Sequence, residues 1–199
     1  MIIKEALKKE ILRKREELTG EQVRQYSRAI FASVFELDCY RKAKNVFIYN
    51  SFKKEVATGE AIKKMLKEKN VFLPKITQDD RMVAVRISED TGYKLSRYGI
   101  LEPEEGEEAN KDEIDLCITP GIVFDKFGGR KGYGKAYYDI FLRGTSIYKL
   151  GVCYDFQLVD FIPVDLLDVN MDMVVTEKRI IVINCCDNAV KQKIMSQRI

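Results

Sequence analysis

The stretch from Thr119 to Leu142, TPGIVFDKFGGRKGYGKAYYDIFL, constrains this chain more than any other. It holds five of the chain's twelve glycines, Gly121, Gly128, Gly129, Gly132 and Gly134, interleaved with Arg130, Lys131, Tyr133 and Lys135. An apolar run, Ile114 to Thr119, leads in, and a helical pattern, Ala136 to Leu142, leads out. Strand, glycine-rich basic loop and helix, in that order, present backbone N–H groups and side-chain cations to a phosphate. The rest of the chain is read as support for that loop or as substrate site beside it.

The flanking segments supply an α/β frame. Residues 2–18 carry Ile3, Leu7, Ile11 and Leu18 near helical period, with Lys4, Lys8 and Arg15 forming a basic stripe. Thr19, with Gln22 three residues on, is a capping box for a second helix over 20–37, followed by a short helical turn over 40–44. Asn45–Asn50 and Val71–Pro74 read as buried strands, Met82–Ile87 as an alternating one, and Thr58–Lys69 as a helix between them. Leu101–Asp112, with its run of glutamates, reads as a surface loop. Ile114–Thr119, Tyr148–Tyr154 and Met173–Thr176 read as further strands. Glu177-Lys178 then suggests a hairpin into a last strand at 179–184, and 187–199 suggests a short helix. Strands alternating with helices predict one α/β domain over 1–199. Its mostly parallel, mixed-edge sheet is flanked by helices in a Rossmann-like three-layer architecture.

Composition narrows the chemistry. The 199 residues include no histidine, which removes histidine acid–base and triad catalysis. Five cysteines without a C-x-x-C pair predict reduced structural thiols and argue against a transition-metal centre. A metal here is expected to have oxygen ligands, with Mg²⁺ the first choice. A formal net charge of +3 is too small to indicate nucleic acid. A charged N-terminus and the lack of an apolar run of membrane-spanning length predict a cytoplasmic protein.

Two phosphate-binding fingerprints fail on the loop. Gly129-x-x-x-x-Gly134-Lys135 has P-loop spacing, but Ala136 stands where a Mg²⁺-binding hydroxyl is needed. Pro120 to Gly128 also separate the motif from its strand. Gly132-Tyr133-Gly134 is followed by Tyr137, so the dinucleotide pattern is broken. What remains is a loop able to grip an anion: Arg130 bidentately, Lys135 as a point charge. Asp139, so near these cations, is either their ion-pair partner or a Mg²⁺ ligand.

Gly128-x-Arg130-x-Gly132-Tyr133-Gly134-Lys135-x-Tyr137-Tyr138-Asp139 resembles the signature of the 5-formyltetrahydrofolate cyclo-ligase family, also called methenyltetrahydrofolate synthetases. Five further motifs fall in register. They are Lys4-x-x-Leu7, Tyr49 through Glu55-Val56-x-Thr58, Leu73-Pro74, Pro120-Gly121-x-x-Phe124-Asp125 with Gln157, and Pro163-x-x-x-x-Asp168-x-x-x-Asp172. The resemblance implies ATP-dependent cyclisation of 5-formyltetrahydrofolate to 5,10-methenyltetrahydrofolate with release of ADP and phosphate. It also implies Lys4, Lys8, Arg130, Lys131, Gly132, Tyr133, Gly134, Lys135, Ala136, Tyr137 and Tyr138 around ATP, with Arg130 and Lys135 catalytic. Asn50, Glu55, Tyr133 and Tyr137 are implied to contact the folate, and Asp139 and Asp168 to hold Mg²⁺. Asp125, Asp165 and Asp172 stay open between turn, cap and site roles. Ala136 replaces a common glycine of the family and Lys131 a usual apolar residue. These departures motivate a rival expectation, a folate- or nucleotide-binding regulatory protein on the same fold that has lost turnover. A monomer is expected, with small-molecule partners only and neither nucleic acid nor membrane.

Overall fold

The computed structural model describes residues 2–163 and 165–183, and of residues 2–4 the backbone alone. The N-terminal apolar spacing folds as helix α1, Ile2–Glu17, and Thr19 caps α2, Gly20–Glu36. The capping box is present: Thr19 Oγ1 accepts from the Gln22 N–H at 3.1 Å, and Gln22 Oε1 from the Thr19 N–H at 2.8 Å. Two N–H groups that a helix start leaves without intrahelical partners are thereby satisfied. The chain continues through α3, Asp38–Lys42, β1, Asn45–Ile48, α4, Gly59–Met65, β2, Asn70–Ile76, and β3, Met82–Ile87. Next come β4, Tyr93–Leu95, β5, Leu101–Pro103, β6, Leu116–Thr119, β7, Val123–Asp125, β8, Arg130–Lys131, and α5, Tyr137–Leu142. Last are β9, Tyr148–Val152, β10, Leu158–Val159, β11, Met173–Val175, and β12, Ile180–Val182. The helix expected over 187–199 and the thiols of Cys185 and Cys186 lie outside the described residues.

Seven strands form the main sheet in the order β12-β11-β9-β6-β1-β2-β3. β11, β9, β6, β1 and β2 run parallel, and β12 and β3 close the edges antiparallel. Strand alternation divides the core between two faces. Val46, Ile48, Val71, Leu73, Leu116, Ile118, Leu150 and Val152 pack against Ile30, Val34, Ile62 and Met65 of α2 and α4. Phe47, Phe72 and Cys117 point to the other face and pack against Phe141 and Leu142 of α5. Both faces are covered, so the inner strands read as unbroken apolar runs rather than alternating ones. The expected three-layer α/β architecture is the one observed.

From β1 the chain proceeds to one side through β2 and to the other through β6, β9 and β11. This reversal makes a crevice at the C-terminal ends of β1 and β6, where ligands gather in open α/β sheets. Tyr49–Thr58 follow β1 there, and Pro120-Gly121 follow β6.

Four sequence expectations change. The glycine-rich stretch is no plain loop between strand and helix: β7 and β8 pair as a hairpin, and β10 joins β7 in parallel. α1 packs on this small sheet, with Ile11 against Ile122, Val123 and Ile162. Met82–Ile87 exposes only Arg86, because the acidic stretch covers its edge. The Arg86 N–H donates to the Glu107 carbonyl at 2.8 Å, and the Ala109 N–H to the Ala84 carbonyl at 2.9 Å. Leu101–Asp112 is therefore partly an edge-covering element, which protects a strand from unwanted pairing. The helix read over Thr58–Lys69 is regular only across α4.

Asp125 holds the hairpin in shape. Its Oδ1 accepts from the N–H groups of Phe127 and Gly129, both at 2.8 Å, and its Oδ2 from Ile162 at 2.8 Å. Gly128 has φ +90°, and a Cβ there would meet the Met171 carbonyl oxygen at 2.6 Å, so the turn admits glycine alone. Asp172 is similarly structural, accepting from the Lys149 N–H at 2.8 Å and pairing with its Nζ at 2.9 Å. Asp125→Ala would orphan three N–H groups, two of them buried, so a loss of about 3 kcal/mol is expected in urea denaturation. A surface aspartate would cost within about 0.5 kcal/mol.

Candidate functional site

The loop after β1 is pinned from both sides of the crevice. The Tyr49 hydroxyl donates to the Val56 carbonyl at 2.8 Å, and the Tyr154 hydroxyl to the Glu55 carbonyl at 2.9 Å. Ser51 and Thr58 exchange hydrogen bonds between side chain and backbone, at 3.0 and 3.2 Å. Asn50 Nδ2 donates to the Leu101 carbonyl at 3.1 Å, tying the β4–β5 hairpin to the same mouth. Glu55 is thus fixed with its side chain 11% exposed, accepting from the Phe52 N–H at 3.0 Å. Burial raises its pKa above the usual carboxylate value, and the Phe52 N–H and Arg15 pull against that rise.

Arg15 enters this crevice from α1. It is 1% exposed, and its Nη1 stands 3.9 Å from Glu55 Oε1. Its Nη2 donates to the Tyr133 hydroxyl, and its guanidinium lies 5.8 Å from that ring's centre. Arg15, Tyr49, Glu55, Pro120 and Gly121 line a narrow gap with no room for a water-sized molecule. Across Gly121 stands Arg130, 5% exposed, its Nη2 donating to Asp139 Oδ2 at 2.8 Å and its Nη1 to the Pro120 carbonyl at 3.4 Å. Its guanidinium lies 5.6 Å from the Tyr138 ring centre, and Tyr138 in turn stacks on Phe47. Arg15 Nε, Arg15 Nη1 and Arg130 Nε are the three buried side-chain polar atoms without a hydrogen-bond partner among the described residues. Buried donors are nearly always paired, so these three orphans call for an acceptor from outside the protein, water included.

Two carboxylates flank the far side. Asp139 Oδ1 accepts from the Val169 N–H at 3.1 Å, so it meets the segment that carries Asp168. Asp168 Oδ2 accepts from Lys131 Nζ and from the Asp165 N–H at 2.7 Å, and Lys131 also reaches Asp165 at 3.4 Å. Burial works against the charge of Lys131, but bonds to Asp168 and Asp165 outweigh it and raise its pKa. Among the described residues no three His, Cys, Asp or Glu side chains form a metal-holding group. Two carboxylates are nevertheless the donor set Mg²⁺ takes when phosphates and water fill its remaining positions.

From Tyr133 to Ala136 the chain forms an exposed lip above these groups. Lys135 stands there with no ion pair among the described residues. Ala136 holds the left-handed conformation, φ 55° and ψ 14°, as the cap residue of α5. Tyr137 is drawn aside: its hydroxyl donates to Asp80 at 2.6 Å, lies 2.7 Å from the Tyr98 hydroxyl and accepts from Arg97 at 3.3 Å. Lys8, one turn before Leu12 and two before Arg15, pairs with Glu5 at 3.5 Å. The Lys4 side chain lies outside the described residues.

Residues 2–177 match the model of the 5-formyltetrahydrofolate cyclo-ligase family. The chain belongs to that family. A probable 5-formyltetrahydrofolate cyclo-ligase of Schizosaccharomyces pombe is 34% identical, over 77% of this chain and 84% of that protein. The 5-formyltetrahydrofolate cyclo-ligase of Haemophilus influenzae is 30% identical, over 83% and 93%. The NMR structure of a 5,10-methenyltetrahydrofolate synthetase from Aquifex aeolicus superposes with a TM-score of 0.84 at 33% identity, covering 94% and 95%. The cyclo-ligase family uses ATP.

Within the family frame, the sequence-derived set falls into groups. Arg130 pairs with Asp139 and Lys131 with Asp168, and Asp139 also accepts from the Val169 N–H next to Asp168, while Glu55 and Tyr133 both meet Arg15. Tyr137 joins the Asp80–Arg97–Tyr98 cluster, and Tyr138 packs beneath Arg130. Arg15 itself was absent from the expected set. Its signal was available: it stands four residues after Ile11 and three before Leu18, on the apolar face. Ala136 in the left-handed region carries a cost of about 1–2 kcal/mol that glycine lacks. Ala136→Gly is therefore expected to raise the melting temperature by about 2–4 °C in a thermal scan.

Proposed function

We infer that this chain converts 5-formyltetrahydrofolate and ATP into 5,10-methenyltetrahydrofolate, ADP and phosphate. The observation that carries it is the crevice between β1 and β6, where two buried arginines with orphan donors face Glu55 on one side and Asp139 on the other. Family membership supplies the reaction class, and this crevice supplies matching chemistry.

The chemical difficulty is that a formamide oxygen is a poor leaving group. In the reading offered here, the formyl oxygen attacks the γ-phosphorus of ATP and ADP departs. The formyl carbon becomes an electrophilic iminium bearing a phosphate leaving group. N10 then attacks that carbon, loses its proton, and the ring closes as phosphate leaves. Such a sequence needs positioning and charge neutralisation rather than a protein nucleophile. Arg130 and Lys135 are the cations assigned to the transferring phosphoryl group, with Lys4, Lys8 and Lys131 around the remaining phosphates. The segment Gly132 to Tyr138, Ala136 included, would follow the nucleotide. Glu55 can accept two N–H bonds from the amino-pyrimidine edge of the pterin, with Asn50, Tyr133 and Tyr137 beside it.

Mg²⁺ is part of the proposal, with Asp139 and Asp168 as its protein ligands. When bound it would neutralise phosphate charge. Both carboxylates already hold cations, Asp139 through Arg130 and Asp168 through Lys131, so metal and phosphates would rearrange those pairs together. Ala136 does not favour the rival non-catalytic reading, because its left-handed conformation keeps the backbone path that a glycine would take. We further propose a monomeric cytoplasmic enzyme in which residues 1–199 form one domain. No helix among the described residues is long and apolar enough to cross a membrane.

Mixing the protein with MgATP and 5-formyltetrahydrofolate should generate the methenyl absorbance, and absence of a signal dependent on both substrates would overturn the reading. Arg130→Lys keeps the charge opposite Asp139 but loses the planar fork. It should cut kcat/KM for ATP by about tenfold or more, with a much smaller change in melting temperature. Arg130→Ala is the poorer test, since it leaves a buried carboxylate unpaired at a cost of about 3–5 kcal/mol. Asp139→Asn and Asp168→Asn should each raise the Mg²⁺ concentration needed for half-maximal rate by about tenfold. Unchanged Mg²⁺ titrations for both would remove them from the metal set.

A further inference from the structure

Arg130 and Lys131 are neighbours in β8, yet they meet their carboxylates in different ways. The Arg130 guanidinium is buried, bonds Asp139 and the Pro120 carbonyl, and lies over the Tyr138 ring. Lys131 is anchored through its backbone: its carbonyl accepts from the Ile122 N–H at 2.8 Å, and its register partner in β7 is Val123. Among the described residues its Nζ bonds only Asp168 and, at 3.4 Å, Asp165. A flexible four-carbon stem lets such an ammonium move while the strand stays in place.

Asp168 does not need Lys131 to keep its position. Its Oδ2 accepts from the Asp165 N–H at 2.7 Å, and its own N–H donates to the Asp165 carbonyl at 2.9 Å. Arg143 Nη2 secures the same turn through the Leu167 carbonyl at 2.7 Å, and Asp139 Oδ1 takes the next N–H, that of Val169, at 3.1 Å. Backbone bonds thus shape the turn, and Lys131 contributes charge to it. Lys131 and Asp168 are 22% and 18% exposed, so water screens their attraction only in part. A cation there weakens the pull of Asp168 on a second cation, and it occupies an oxygen that a metal would take.

We propose that Lys131 is an exchangeable counter-ion of the metal pair: it neutralises Asp168 until a divalent cation displaces it from that oxygen, and so sets how tightly the cation is held. This rests on the reading that Asp139 and Asp168 hold Mg²⁺. Within that reading the displaced ammonium has a destination, the phosphate oxygens that arrive with the metal. Exchanging one cation for another keeps a partly buried carboxylate compensated throughout, which its burial requires. Residue 131 therefore governs the divalent-cation affinity of the protein although it donates nothing to the metal.

The test is equilibrium binding of Mn²⁺ alone, read from the EPR signal of the unbound ion, to the protein without nucleotide or folate. Lys131→Met should tighten Mn²⁺ binding by about tenfold. Lys131→Arg keeps the charge and should stay within about threefold of the unaltered protein. Adding Asp168→Asn to Lys131→Met should abolish the gain. Thermal melting gives a second readout, in which Mg²⁺ should raise the melting temperature of Lys131→Met by more than that of the unaltered protein. Lys131→Gln takes the place of the methionine variant if that one does not fold. Unchanged Mn²⁺ affinity in Lys131→Met, with weaker binding in Asp168→Asn, overturns the role of Lys131 and leaves the metal pair standing. Mn²⁺ binding that neither Asp139→Asn nor Asp168→Asn weakens refutes the metal pair, and the role of Lys131 falls with it.

Discussion

The ion pair between Arg130 and Asp139 is the contact on which the glycine-rich side of the fold depends. Arg130 belongs to a two-residue strand and Asp139 to a six-residue helix, elements too short to define their own positions. The pair joins them across the exposed lip. Arg130 also reaches the Pro120 carbonyl behind β6, and Asp139 reaches the Val169 N–H. One buried contact therefore relates the main sheet, the small sheet, α5 and the Asp168 segment. Desolvating both charges is costly, and the attraction offsets this only with good geometry and further hydrogen bonds. Asp139 has that second bond. Arg130 Nε does not, so the network is strong where it supports the loop and unfinished where it faces the crevice.

That division explains which features the sequence disclosed. The parallel strands were legible because burial on both faces leaves unbroken apolar runs, as in Val46–Ile48 and Leu116–Ile118. α2 was legible because its cap is local chemistry between Thr19 and Gln22. The β7–β8 hairpin was not. Its strands have three and two residues, and its turn is set by Asp125 bonding to Ile162, a partner far along the chain. The edge role of the acidic stretch was hidden for a similar reason. Glutamates signal solvent, but the backbone at Glu107 and Ala109 serves β3 whatever the side chains are. At the site, Arg130, Lys131, Asp139 and Asp168 were visible as charges around glycines. Arg15 was read with Lys4 and Lys8 as one cation of a basic stripe, whereas its spacing to Ile11 and Leu18 places it on the buried face.

Tyr137 illustrates a different limit. Adjacent tyrosines after a glycine-rich loop suggest a shared task, yet helix geometry sends neighbouring side chains about 100° apart. Tyr138 turns inward beneath Arg130 and onto Phe47. Tyr137 turns to Asp80 on the β2–β3 turn and Tyr98 between β4 and β5. The two tyrosines thus fasten α5 to opposite partners, one to the core and one to the rim. The lip from Tyr133 to Ala136 is consequently held at both ends, by Tyr133 to Arg15 and by Tyr137 to the rim, while its middle stays exposed.

The placement of the orphan donors has a further consequence. Had Arg15 and Arg130 been fully satisfied within the protein, an incoming ligand would have to break existing bonds before making its own. Their unmet N–H groups instead leave part of the desolvation cost already incurred in the folded chain. Binding an acceptor then recovers interaction without first losing one, which is the structural meaning of preorganisation. The same economy limits stability, because each buried donor without a partner weakens the unliganded fold. Asp125, Asp172 and the α2 cap are fully bonded and lie where no substrate is proposed to enter, whereas the orphans all flank Pro120-Gly121. Stability is concentrated in the supports, and incompleteness is confined to the crevice. A crevice of this kind gains order from its ligands, so occupation of either side should tighten the lip that the two arginines share.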